Sequence, residues 1–111
     1  MKINELIYEA YANALDKGWH ETQRSVPELL CLMHSEISEA LEEHRNGRQP
    51  TDIYYNDSKP TKPEGIPIEL ADIVIRIADF CGLHKIDLAD AIRTKLDYNK
   101  TRSYRHGKKI C

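Results

Sequence analysis

The stretch that decides the fold is residues 66–83, which read IPIELADIVIRIADFCGL. Apolar side chains occupy nearly every side of this segment when it is drawn as a helix, and the charges form one strip made of Glu69, Asp72, Arg76 and Asp79. That strip spans roughly 80° of the helical wheel. A helix that is apolar nearly all round must be covered on most sides. A chain of 111 residues has few other helices to cover it, so we predict a subunit partner.

Helical periodicity extends over most of the remaining chain, without the alternation that is typical of strands. The pattern predicts helices over about residues 2–17, 27–46, 66–83 and 88–103. The intervening residues 47–65 hold three of the five prolines and two of the five glycines, and we predict a long loop there. The expected fold class is all-α, with a four-helix-bundle-like subunit that forms one domain over residues 1–111.

Charge is distributed unevenly along the chain. The net charge is −2, yet residues 1–92 hold 9 Lys and Arg against 17 Asp and Glu, whereas residues 93–111 hold 7 against 1. An acidic body argues against a general nucleic-acid-binding domain, so we expect no stable nucleic-acid partner. The basic end includes a polar tail at about residues 104–111. Three widely spaced cysteines and the lack of a signal-peptide or membrane-span pattern predict a cytoplasmic protein with no membrane partner.

Two pairs of carboxylates interrupt the apolar faces of the second and third predicted helices. Glu36 falls inside an apolar stripe with Glu39 at its edge, and Glu69 and Asp72 have the same i,i+3 spacing. Carboxylates that face one another in a low-dielectric seam need a positive partner. An all-oxygen set without His or Cys favours Mg²⁺, with Mn²⁺ as a substitute, over Zn²⁺. The alternative is that these acids are solvated or paired with cations such as Arg76.

The fourth predicted helix repeats this anomaly with the opposite charge. Its apolar stripe continues as Lys95, Asn99 and Arg102, and Tyr104 follows. Such a cationic and amide-bearing face suits phosphate oxygens. The alternative is a solvated basic helix end that complements the helix dipole.

These residues resemble the all-α nucleoside triphosphate pyrophosphohydrolases of the MazG-like superfamily. The resemblance rests on E-x-x-E at residues 36–39 and E-x-x-D at residues 69–72. It extends through KPEGIPIELADIVIR at 62–76, KLDYNKTR at 95–102 and YRHG at 104–107. It covers about residues 29–109 and implies a helical fold that assembles as a homodimer or as a homotetramer, a dimer of dimers.

The resemblance also implies an activity and a set of site residues. The activity is Mg²⁺-dependent hydrolysis of a nucleoside triphosphate to the monophosphate and pyrophosphate, with a role in cleaning nucleotide pools. The implied metal ligands are Glu36, Glu39, Glu69 and Asp72. The implied contacts to the phosphates or the nucleotide are Lys95, Asn99, Arg102 and Tyr104.

Two further roles concern the general base and the nucleotide base. We predict that Glu39 is the general base, because it lies at the edge of its stripe, where it can accept a proton from water. Trp19 and His20 follow Gly18, which ends the first predicted helix, and they are candidates for stacking on a base, as aromatic residues near this position do in similar enzymes. The alternative for Trp19 is a hydrophobic contact that caps the helix.

Other chemistries compete with this interpretation. A di-iron carboxylate bundle needs Glu-x-x-His motifs, and no His in the chain has a Glu three positions before it. A zinc site would use Cys31 with His34 or Cys81 with His84. The non-enzymatic alternative is a helical nucleotide-binding or regulatory domain that binds its ligand without hydrolysis.

Overall fold

The computed structural model describes residues 1–104, and their backbone is mainly helical. Within them there are four helices: α1 (Ile3–Asp16), α2 (Val26–Arg45), α3 (Ile66–His84) and α4 (Leu88–Thr101). The prediction of four helices is confirmed, and each observed end lies within two residues of the predicted one. The basic tail predicted for residues 104–111 lies outside the described residues except for Tyr104.

The starts of α2 and α4 are stabilised by capping side chains. Ser25 Oγ accepts a hydrogen bond from the Glu28 backbone N–H at 3.2 Å, and the Glu28 carboxylate accepts one from the Ser25 N–H. Asp87 caps α4 in a related way, because its Oδ1 accepts from the Asp90 N–H at 3.0 Å. These contacts satisfy backbone N–H groups that have no partner in the first turn. Both helix starts are therefore determined by local sequence.

The segment 47–65, predicted as a long loop, contains two short strands. A two-stranded antiparallel hairpin, β1 (Tyr54–Asn56) and β2 (Lys59–Glu64), lies between α2 and α3. Pro60 and Pro63 argue against a central strand, because proline cannot donate to a ladder. In a two-stranded hairpin each strand has one free edge, where that missing donor costs little. The tyrosines at 54 and 55 then favour the extended backbone.

Helices α1 and α2 both pack on α3. The buried core lies where α1 meets α3 and consists of small side chains: Ala10, Ala14, Ala78 and Cys81. A Cβ atom added at Gly82 would lie 2.6 Å from the Cβ atom of Tyr11, so the two helices approach closely. No large side chain among the described residues is fully buried.

Helix α4 lies at the side of this unit, and its main contact is with α1. Every residue from Asp90 to Thr101 is exposed. The described chain therefore consists of three packed helices with a fourth beside them, which differs from a closed four-helix bundle. None of the helices in residues 1–104 combines the length and the hydropathy that a membrane span requires.

Candidate functional site

Three carboxylates from two helices converge in the seam between α2 and α3. Glu36 comes from α2, and Glu69 and Asp72 come from the first turns of α3. One oxygen atom from each lies within 4.8 Å of an oxygen atom from each of the others. Oxygen ligands of one Mg²⁺ or Ca²⁺ ion lie about 2.0–2.6 Å from it, so their mutual separations are of this size. The donor set and its spacing therefore fit a hard divalent cation.

The local structure explains why these three side chains meet. Gly65 has φ +124° and caps α3 directly after β2, so Glu69 falls in the first turn of the helix and Asp72 in the turn that follows. Glu36 lies near the middle of α2, and its side chain is only 14% exposed. The packing of α2 on α3 thus brings one carboxylate of α2 against two of α3.

The electrostatic state of the three groups reflects their crowding. Burial, followed by the negative charges of the neighbouring acids, raises the pKa of Glu69 to about 7. Burial and the Glu36 charge also raise the pKa of Asp72, and the positive charges of Arg76 and Lys62 oppose this rise. A carboxylate that resists ionisation in this way is stabilised when a cation binds beside it.

Arg76 supplies a cation to the cluster from within the chain. Its Nε donates a hydrogen bond to Glu36 Oε1 at 2.9 Å. The alternative of pairing with a cation, which the sequence left open, is therefore realised for Glu36. Only one oxygen of Glu36, Oε1, accepts this hydrogen bond. The second oxygen of the carboxylate can still act as a ligand for a metal ion.

Glu39, the predicted general base and fourth metal ligand, does not belong to the group of three. It is exposed on α2, one turn after Glu36, and its negative charge contributes to the raised pKa of Glu69. It thus lies beside the cluster rather than within it. Its two predicted roles stay predictions.

The hairpin is attached to α2 next to the cluster, a contact that the sequence did not indicate. The Tyr54 hydroxyl donates to the Glu43 carboxylate, with oxygen separations of 2.7 and 2.9 Å. This hydrogen bond raises the pKa of Tyr54. The Arg48 guanidinium lies 3.4 Å from the centroid of the Tyr54 ring.

A cavity of about 270 Å³ adjoins the carboxylates. Its wall includes Glu36 and Asp72 as well as Trp19 and His20, the two residues predicted to contact a nucleotide base. The structure therefore places these aromatic side chains and two of the three carboxylates around one space. Further wall residues come from α1 and α3, among them Asn13, Asp79 and Phe80.

His20 is held by a carboxylate in the wall of this cavity. Its Nε2 lies 2.8 Å from Asp79 Oδ1, and the two side chains are 13% and 22% exposed. Its ring also lies 5.5 Å from the Tyr11 ring, centroid to centroid. Asp79 was seen in the sequence only as a member of the charged strip of the third helix. Its contact with His20 could not be anticipated, because 59 residues separate them.

Trp19 is half exposed and lies between the cavity and a second, open groove. The Arg24 guanidinium lies 5.1 Å from the centroid of the Trp19 ring. The groove has a volume of about 740 Å³, and its wall includes Trp19, Arg24, Cys31 and Arg76. Trp19, Arg24 and Arg76 therefore line both spaces.

The predicted phosphate contacts of α4 are not brought to the carboxylates within the described chain. Lys95, Asn99 and Arg102 are exposed and line neither the cavity nor the groove. Lys95 and Arg102 instead lie 4.9 and 5.7 Å from the ring of Tyr98. Tyr104 is exposed just beyond α4.

The two Cys–His pairs of the zinc alternative do not form a metal site in residues 1–104. Cys31 and His34 are exposed on α2, whereas Cys81 is buried in the core, where burial raises the pKa of its thiol. The ring of His84 packs against Phe80 at 4.5 Å. Over residues 1–104, Glu36, Glu69 and Asp72 are the one group of three or more side chains spaced to hold a metal ion.

Comparison of the chain with protein-family profiles, with curated proteins and with solved structures finds no match.

Proposed function

We propose that this chain is a Mg²⁺-dependent nucleoside triphosphate pyrophosphohydrolase, as its resemblance to the MazG-like superfamily implies. The observation that carries the proposal is the convergence of three carboxylate oxygens within 4.8 Å beside a cavity that Trp19 and His20 also line. Carboxylates that hold a divalent cation next to a space for an aromatic ligand are what a nucleotide hydrolase needs.

The cation and the side chains would have separate roles in the reaction. Mg²⁺ would neutralise charge on the phosphate oxygens and increase the acidity of a neighbouring water. The Mg²⁺ ion would be held by Glu36, Glu69 and Asp72. Water attacks one phosphorus of the α–β anhydride as the bond to the bridging oxygen breaks. The proton of the water passes to Glu39, which is exposed beside the cluster.

The cavity would hold the nucleoside end of the substrate. The cavity volume of about 270 Å³ suits a base and part of a sugar, and its wall combines aromatic faces with polar groups. Trp19 offers a ring for stacking, while Asp79 fixes the orientation of the His20 ring. The phosphate contacts predicted at the end of the chain remain predictions: Lys95, Asn99, Arg102 and Tyr104. They require these side chains to come close to the carboxylates, which does not happen within the single described chain.

We further propose that the chain forms a homodimer or a dimer of dimers. On α2, Leu30, Ile37 and Leu41 share one exposed stripe and are 45–56% exposed. On α3, Leu70 and Val74 are about half exposed, although the same face is buried further along at Ala78. Exposed apolar patches that continue a buried face mark protein–protein interfaces. The proposed setting is a reducing cytoplasm.

The proposed activity is tested by measuring pyrophosphate release from canonical and modified nucleoside triphosphates with and without Mg²⁺. We expect turnover with at least one of them, and we expect Glu69→Gln and Glu39→Gln each to lower kcat at least about 100-fold. Glu9→Gln, an exposed change on α1, is the matched control and should leave kcat unchanged. Circular dichroism checks that each variant is folded.

One observation favours the non-catalytic alternative, since Arg76 already neutralises part of the acidic cluster without a metal. In that case the chain would bind nucleoside triphosphates under excess Mg²⁺ and Mn²⁺ and release no pyrophosphate. Such a result would overturn the proposed hydrolysis while retaining the nucleotide site.

A further inference from the structure

Arg76 occupies a position between the acidic cluster and the open groove. It lies on α3 one turn after Asp72, and its Nε donates to Glu36 Oε1 at 2.9 Å. Its side chain is 39% exposed, whereas that of Glu36 is 14% exposed. Arg76 contributes to the walls of both the cavity and the groove. Arg76 therefore borders a groove whose wall does not include Glu36.

The contact with Glu36 conflicts with a cation bound at the cluster. Glu36 is one of the three carboxylates whose oxygens lie within 4.8 Å of one another. A divalent cation among these oxygens would stand close to the Arg76 guanidinium, and like charges at such a separation repel. The cation would also draw electron density from Glu36, which weakens that carboxylate as a hydrogen-bond acceptor for Arg76. Metal binding thus favours release of the guanidinium.

The groove offers the released guanidinium a suitable place. Its wall carries a second arginine, Arg24, beside the exposed ring of Trp19. Two arginines against one carboxylate, Glu28, give this groove a net positive wall next to a negative cluster. A planar guanidinium binds phosphate through paired hydrogen bonds, and it remains protonated at all physiological pH values. The chemistry of this wall therefore fits the phosphate chain of a nucleotide.

We propose that Arg76 acts as an exchangeable counter-ion, which pairs with Glu36 in the metal-free protein and transfers to a phosphate group of the substrate when a divalent cation binds at Glu36, Glu69 and Asp72. This proposal rests on the proposed function, because it assigns the phosphate ligand to the same site. It makes Arg76 a substrate-binding residue in addition to those predicted on α4.

The exchange predicts opposite effects of one substitution on two affinities. Arg76→Gln removes the competing charge, so Mn²⁺ alone should bind at least about 3-fold more tightly than it binds the wild type. The same variant should bind inorganic tripolyphosphate, in the presence of Mg²⁺, at least about 10-fold more weakly. Isothermal titration at pH 8 measures both. Arg76→Lys keeps the charge and should leave the affinity for Mn²⁺ near that of the wild type.

Arg45→Gln is the matched control, because Arg45 also pairs with a carboxylate of α2, Glu42, at 3.6 Å and lines neither space. It should change neither affinity. A second measurement on the wild type follows the ¹⁵N resonance of Arg76 Nε by NMR. That resonance should move when Mg²⁺ is added and move again with tripolyphosphate.

The outcomes separate this proposal from the proposed function. A wild-type protein that binds Mn²⁺ and releases pyrophosphate, with both affinities unchanged in Arg76→Gln, overturns the exchange and leaves the hydrolase intact. An Arg76 resonance that does not respond to Mg²⁺ overturns it independently of any variant. A wild-type protein that binds no Mn²⁺ overturns both proposals.

Discussion

Burial and the negative charges of four neighbouring acids give Glu69 the largest pKa shift among residues 1–104. Its pKa is about 7 in the folded chain and 4.5 for an isolated side chain. Between these two values the folded protein binds more protons than the unfolded chain does. The free energy of unfolding contributed by this group is therefore highest below pH 4.5 and decreases as the pH rises through 7.

This linkage predicts a pH dependence of stability in the absence of metal. In EDTA, the melting temperature of the wild type should fall between pH 5 and pH 7.5, because the unfavourable ionisation of Glu69 occurs in that window. Glu69→Gln cannot ionise at this position, so its melting temperature should fall less. Thermal scans at half-unit pH intervals measure the difference.

Glu9→Gln serves as the control and should retain the wild-type slope, since Glu9 is exposed on α1. Addition of Mg²⁺ should raise the melting temperature of the wild type more at pH 8 than at pH 5.5, because only ionised carboxylates bind the cation. An equal slope in the wild type and Glu69→Gln would show that Glu69 does not carry this titration.

At the scale of elements, the junction between the hairpin and α3 controls the position of the acidic cluster. Gly65 lies between the end of β2 and the start of α3 and has φ +124°, a conformation that L-residues with a side chain rarely adopt. A Cβ atom at this position would overlap the backbone carbonyl oxygen of Asp52. Glycine is therefore required here both by the backbone angle and by the space.

Gly65→Ala should lower the free energy of unfolding by about 3 kcal/mol, since strain and overlap add. Gly47→Ala is the matched control. Gly47 also has a positive φ, +86°, but no atom lies within 4 Å of a Cβ added there, so the expected loss is only about 1 kcal/mol. Urea denaturation measures both. Equal losses for the two variants would contradict the role given to the Asp52 contact.

At the scale of the whole molecule, the single chain leaves a large part of its apolar surface uncovered. The radius of gyration is 16.7 Å, compared with about 13 Å for a compact domain of this length. Within residues 1–104 the buried core contains only alanine and cysteine, while Ile37 and Val74 are 56% and 48% exposed. Cover from a second copy would remove this apolar surface from water and stabilise α3 from a further side.

Light scattering coupled to size-exclusion chromatography should therefore give a mass of two or four times 12.8 kDa. The double variant Ile37→Asp, Val74→Asp places charges on the proposed interface and should shift the mass toward that of one chain. Tyr8→Asp changes an exposed side chain on α1, at 76%, away from the proposed interface and site, and should leave the mass unchanged. A wild-type protein that is monomeric at all concentrations would refute the assembly.

Several features of the fold and the site followed from local sequence. The Ser25 cap, the Asp87 cap and the spacing of Glu69 and Asp72 depend on contacts within one or two helical turns. Residues close in sequence make these contacts whatever the remainder of the chain does. The sequence by itself therefore determined the four helices, the caps of α2 and α4 and the two carboxylate pairs, and it placed Trp19 and His20 just after α1.

Only the tertiary structure decided which groups meet. The rotation of α2 against α3 brings Glu36 to the cluster and leaves Glu39 beside it. The contact of His20 with Asp79 spans 59 residues, and that of Arg76 with Glu36 spans 40. Helix periodicity determines which side of a helix a residue occupies but not how two helices are rotated against each other. That rotation depends on contacts between segments remote in sequence, such as the ion pair of Arg76 on α3 with Glu36 on α2.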